Sequence, residues 1–114
     1  MKKLEELKLR EKDLNAICKL KKKLLDRFPR TQVILYGSKI RGDDEKFSDI
    51  EILILLDEEI DAELEKQVLD IAYDIELEFD VVFGVMIESK GFWDSSLAKI
   101  MPLHQNIGKE GVLV

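Results

Sequence analysis

A chain of 114 residues, 46% hydrophobic and 37% charged, describes one soluble domain with a single core and no room for a separate substrate domain. Its net charge of −6 argues against wrapping a nucleic-acid polymer, whose affinity comes largely from Lys and Arg on phosphates. No run approaches the ~20 apolar residues that span a bilayer, no signal-peptide core follows the Lys-rich start, and the lone Cys18 cannot form an internal disulfide, so the expected location is cytoplasmic.

In chain order, residues 1–28 read as one helix: Leu7, Leu14, Ile17, Leu20, Leu24 and Phe28 recur at helical spacing, and Pro29 stops it. Gln32 to Tyr36 is a short β-branched and aromatic run ending at Gly37, a strand feeding a turn. Residues 39–48, charged and Gly-containing, read as a short helix and then a loop, with Asp43, Asp44 and Glu45 solvated rather than ligating and Lys39 on the surface.

Asp49 to Leu56 is the second strand, continuously apolar beyond Asp49 and Glu51, as a strand buried on both faces must be. Asp61 is placed to cap a helix carrying Leu64, Val68, Ile71, Ala72 and Ile75 on one stripe. Phe79 to Ile87 is expected to be the third strand, with Asp80, Val82, Gly84 and Met86 sharing a face. Ser89 can cap a helix through Gly91 to Ile100, and Pro102 starts another that ends near Gly108 or Gly111. The expected fold is α/β, one domain over 1–114: an N-terminal helix (1–28), a small mixed sheet (33–87) with flanking helices, and C-terminal helices (89–111).

The chemistry concentrates in Tyr36-Gly37-Ser38-Lys39-Ile40-Arg41-Gly42 followed by Ser48-Asp49-Ile50-Glu51. Alternation along a strand sends Asp49 and Glu51 to one face and Ile50 to the core, with the two Cα atoms roughly 6.5 Å apart. That separation suits carboxylates closing on metals ~3.5–4 Å apart in two-metal phosphoryl transfer. Gly37 lets backbone approach a phosphate, Ser38 opens a turn whose N–H groups favour an anion, and Arg41 carries a fork suited to phosphate oxygens. An anion cradle beside a hard-cation site points to Mg²⁺ and a nucleoside triphosphate. Asp80, interrupting an apolar run, would be costly at a sheet centre unless paired or metal-bound; otherwise it is a strand-end residue exposed to water.

Gly37-Ser38, ten residues, then Asp49-x-Glu51 resembles the Gly-Ser-x10-Asp-x-Asp/Glu signature of the DNA polymerase β-like nucleotidyltransferases, and the chain from about Val33 to Gly111 is similar to their shortest members, the minimal nucleotidyltransferases. The resemblance implies a polymerase β palm-like nucleotidyltransferase fold. It also implies that Ser38 and Arg41 hold the triphosphate of ATP, that Asp49 and Glu51 bind Mg²⁺, and that Asp80 completes the site as third carboxylate and base. Glu51 stands where Asp is more usual in that family.

The resemblance further implies an antitoxin paired with a HEPN-domain toxin, whose tyrosine hydroxyl receives AMP. A module that neutralises by binding alone is the alternative, and an antibiotic-modifying enzyme a third reading, without the extra helical domain such enzymes carry. Residues 1–30 hold eleven Lys/Arg against five Asp/Glu and the remainder seven against nineteen, a split that suits either an electrostatically directed contact or a solvated helix face. His104 lacks the partners of a metal site. Phe92 and Trp93 read as packing residues of a short helix, either of them also placed to contact a partner, and Tyr36 and Tyr73 as structural.

Overall fold

A computed structural model describes residues 1–42 and 49–114. The run Ile50–Leu56 forms strand β3 at the centre of the molecule, because six of its seven residues are apolar and buried. Its alternation feeds two layers. Ile50, Ile52, Ile54 and Leu56 join the core under helices α1 (Glu11–Arg27) and α3 (Ala62–Phe79). Leu53 and Leu55 join a smaller core on the other face, with Ile34, Trp93 and Ile107. Each fully buried Leu or Ile contributes about 1.5–3 kcal/mol of apolar transfer, so β3 dominates the sheet energetically.

Strands β1 (Lys2–Lys3), β2 (Gln32–Tyr36), β4 (Phe83–Ser89) and β5 (Val112–Leu113) complete a five-stranded mixed sheet in the order β1-β5-β2-β3-β4. The β2–β3 pair is antiparallel, with Tyr36 opposite Glu51. The β3–β4 pair is parallel, joined through α3 as a parallel pair requires, with Gly84 level with Glu51. The second layer consists of α4 (Lys90–Trp93), α5 (Ser96–Lys99) and α6 (Pro102–Glu110). The mixed sheet with flanking helices is the expected α/β architecture. No helix among the described residues is long and apolar enough to cross a membrane.

The caps follow the sequence. Asp61 Oδ1 accepts from the Leu64 N–H at 2.7 Å and Ser89 Oγ from the Phe92 N–H at 3.1 Å. Pro102 starts α6, which runs to Glu110.

Three boundaries differ from expectation. Residues 1–10 do not belong to the long helix: Lys2 and Lys3 pair in parallel with Val112 and Leu113, Leu4–Glu6 makes a single 3-10 turn, and Leu4, Leu7 and Leu9 pack on the main core. Their two- and three-residue spacings do not make a helical stripe. A second cap, Ser95 Oγ accepting from the Ala98 N–H at 3.2 Å, divides the helix expected from Gly91 to Ile100 into α4 and α5. The third concerns Phe79 and Asp80. Phe79 is the last residue of α3, packed on the main core four residues after the buried Ile75. Asp80 is the C-cap, left-handed at φ 54°, its N–H donating to the Glu76 carbonyl. An aspartate tolerates that region better than most residues, so the chain turns there and the strand begins only at Phe83.

Lys39 is not a surface residue. Its ammonium lies 3.1 Å from Asp13 Oδ2, with 6% and 7% of the two side chains exposed, tying the short helix α2 (Ser38–Arg41) to α1. Lys39→Ala strands the Asp13 carboxylate without this ammonium and should cost roughly 3–5 kcal/mol. Urea unfolding will show it as a lowered midpoint at constant slope.

Candidate active site

The turn after β2 is built on Gly37, at φ 89° and ψ −159°, a backbone region essentially closed to residues with a Cβ. Its carbonyl accepts from the Ile40 and Arg41 N–H groups at 3.1 and 3.2 Å, so α2 is one tight turn with Ser38 at its first position. Gly42, left-handed at φ 78°, closes it. Residues 43–48 lie outside the described residues, and with them the expectation for Asp43, Asp44 and Glu45.

Glu51 faces this turn. A Cβ placed on Gly37 would stand 1.6 Å from Glu51 Oε2 and 2.7 Å from its Cδ, so the carboxylate rests directly against the glycine. On the other side lies Gly84, where an added Cβ would be 3.6 Å from Glu51 Cγ. Glu51 thus runs in a slot between two glycines, half-buried, on the face opposite Ile50. Asp49 immediately precedes β3 and is exposed, and strand alternation puts it on Glu51's face. The Tyr36 hydroxyl has its pKa raised, first by burial and then by the charge of Glu51, so it stays a neutral phenol over a wider pH range.

Asp80 does not join this pair as a strand residue. Its side chain is fully exposed at the end of α3, on the α1–α3 layer, with Oδ2 4.0 Å from Lys12 Nζ and its carbonyl accepting from that ammonium at 3.0 Å. The β4 residue level with Glu51 is Gly84, which carries no donor. Among the described residues no group of three or more His, Cys, Asp and Glu can hold a metal ion. Two carboxylates nevertheless fit Mg²⁺, a hard cation commonly held by one or two carboxylates together with substrate phosphates and water.

Arg41 meets a residue that the sequence does not single out. Its Nη1 donates to Glu110 Oε1 and Oε2 at 3.2 and 3.3 Å, and the Gly37 N–H donates to the same Oε1 at 3.3 Å. Glu110 lies 73 residues beyond Gly37, at the end of α6, so only the docked fold brings them together. His104 is structural: its ring stacks on Trp93 with centroids 4.3 Å apart, and Nε2 is 2.9 Å from the Trp93 carbonyl oxygen. Trp93 is buried, whereas Tyr73, expected to be structural, is 58% exposed. A cleft of about 300 Å³ between Phe28–Thr31 and Leu56–Glu58 lies at the other end of β3, away from this chemistry.

The nucleotidyltransferase domain family matches residues 17–104. Two proteins of Methanocaldococcus jannaschii, each named "Putative protein adenylyltransferase", are 32% identical to the chain. One aligns over 94% of this chain and 96% of its own length, the other over 70% and 73%. The fold is also similar to a solved structure described as a toxin-antitoxin with AMP-PNP, at TM-score 0.60 and 22% identity over 91% of this chain and 72% of that one. A mutant of a toxin-antitoxin named MntA-HpeT is similar at TM-score 0.58 and 23% identity, over 94% and 72%.

Proposed function

This chain belongs to the nucleotidyltransferase domain family, and from that premise we propose that it transfers AMP from ATP to a tyrosine hydroxyl of a partner protein, a HEPN-domain toxin that the modification silences. The observation that carries the reading is Glu51 resting against the Gly37 turn, which joins an anion cradle to a carboxylate pair. In this reading the Gly37 backbone, Ser38 and Arg41 hold the triphosphate, and Asp49 and Glu51 hold Mg²⁺. The cation, when bound, neutralises charge on the phosphates and on the leaving diphosphate. The acceptor oxygen attacks the α-phosphorus, the bond to diphosphate breaks, and the hydroxyl proton passes to water.

Two findings support a protein as acceptor. The solved relatives of like fold are toxin–antitoxin assemblies, and the homologues carry the name of protein adenylyltransferases. The layout agrees: Arg41 and Asp49 are exposed on a single domain, so the acceptor is positioned by its own surface, and alignment supplies much of the rate.

Glu51 provides the test of the site. Glu51→Asp should keep or raise the rate of AMP transfer and Glu51→Gln should lower it, because a ligand of suboptimal length tolerates shortening but not loss of charge. Equal rates in all three proteins would show that Glu51 is not a ligand. The alternative, an antitoxin that masks its partner without chemistry, is favoured by one feature: Gly84, not a carboxylate, stands level with Glu51.

A further inference from the structure

We infer that Glu110 is a positioning residue of the nucleotide cradle, fixing the Gly37 turn and the plane of Arg41 at once. The inference rests on the reading of that turn as a triphosphate site. One carboxylate oxygen receives both the Gly37 N–H, at 3.3 Å, and Arg41 Nη1, at 3.2 Å, while the second oxygen receives Nη1 at 3.3 Å. These contacts join the first residue of the turn to the last residue of α2, so the two cannot separate without breaking one of them.

The turn is short and costly to order. The helix is four residues long, below the length at which backbone hydrogen bonding sustains itself. Gly37 has the largest conformational entropy to lose on ordering. A charge-assisted contact from a different element offsets that cost before any ligand arrives. A guanidinium presents five donors in a rigid fork, so a carboxylate on one Nη sets the directions of the others.

Glu110 is itself well placed to act as an anchor. Its side chain is 27% exposed, which leaves its charge incompletely screened. The next residues, Gly111 and Val112, are buried, and Val112–Leu113 pair with Leu35 and Ile34 of β2, the strand that leads into the turn. The brace and the turn therefore flank two paired strands. Lys39 and Asp13 hold the same turn from the α1 side.

The experiment compares wild type, Glu110→Gln and Glu110→Ala in two measurements. In the nucleotide-free protein, amide hydrogen exchange at Gly37 should quicken in Glu110→Ala and change less in Glu110→Gln, which keeps an acceptor oxygen. Calorimetric titration with MgATP should give a Kd about tenfold higher for Glu110→Ala, the loss of a charge-assisted hydrogen bond. Glu110→Gln should lie between. A merely structural role would lower thermal stability while leaving the Kd of the folded protein unchanged, and that result would overturn the inference. So would tighter binding by Glu110→Ala, which would mark Glu110 as a competitor for the cradle. If wild type binds no MgATP, the triphosphate reading fails by itself, and the Gly37 exchange rates then decide whether Glu110 braces the turn, unchanged rates refuting it.

Discussion

Asp49→Asn should abolish transfer of AMP, by about a thousandfold or more, and leave thermal unfolding where it was. A thousandfold corresponds to about 4 kcal/mol, the scale of charge stabilisation that a divalent cation gives a phosphoryl transition state. Asparagine keeps the shape and an oxygen of aspartate but loses the charge that competes for Mg²⁺ against water. The fold is insulated from the change, since Asp49 is exposed and precedes a strand whose stability comes from Ile50 and its buried successors. Rates and MgATP affinity equal to wild type would remove the metal assignment from this pair.

Gly37→Ala is the second large effect, and it separates the fold from the site. An alanine at φ 89° and ψ −159° carries on the order of 1–3 kcal/mol of backbone strain. Its Cβ would also stand 1.6 Å from Glu51 Oε2. That clash is with the far end of a flexible side chain, so it is relieved by swinging Glu51 away rather than by unfolding. The core beneath is untouched, but a nominated ligand has moved and the turn has lost the shape of its anion cradle. A displacement of about 1 Å near a reacting centre costs about a hundredfold. The expected result is a folded protein, with a lowered Tm and a transfer rate reduced at least that much. Activity near wild type would mean that Glu51 does not need its place against the turn.

The sequence made the centre of the fold legible because its physics there is local. Ile50 to Leu56 cannot be anything but a buried strand, Asp61 and Ser89 cap helices through their own side chains, and the Gly37 turn announces itself by sitting between two strands. Residues that depend on the partner of a segment were harder to read. Phe79-Asp80-Val81-Val82-Phe83 has the composition of a strand, yet Phe79 finishes the buried stripe of α3 and Asp80 takes a left-handed cap. A third carboxylate inferred from family resemblance therefore landed on the wrong element.

The ion pairs illustrate the same limit. Lys39 looks like one more surface lysine until α1 supplies Asp13, 26 residues upstream, and Glu110 looks like helix-end decoration until α6 docks beside Gly37. The spacing from Leu7 to Phe28 extends the helix to the N-terminus, whereas the pairing of Lys2 and Lys3 with β5 is a long-range event no local pattern encodes. Membership of the nucleotidyltransferase family, by contrast, was readable from Gly37-Ser38 and Asp49-x-Glu51, because spacing along a turn and a strand is preserved in the chain itself.

The account stands most directly on the fate of the nucleotide. The protein is incubated with the HEPN-domain toxin proposed as its partner, ATP and Mg²⁺, and the intact mass of the toxin is measured by mass spectrometry alongside its toxic activity. The account predicts that the toxin gains one or more AMP units on tyrosine and loses activity, and that Asp49→Asn prevents both. Loss of toxin activity with no change in mass, equally complete with Asp49→Asn, would contradict it and leave the chain a binding antitoxin.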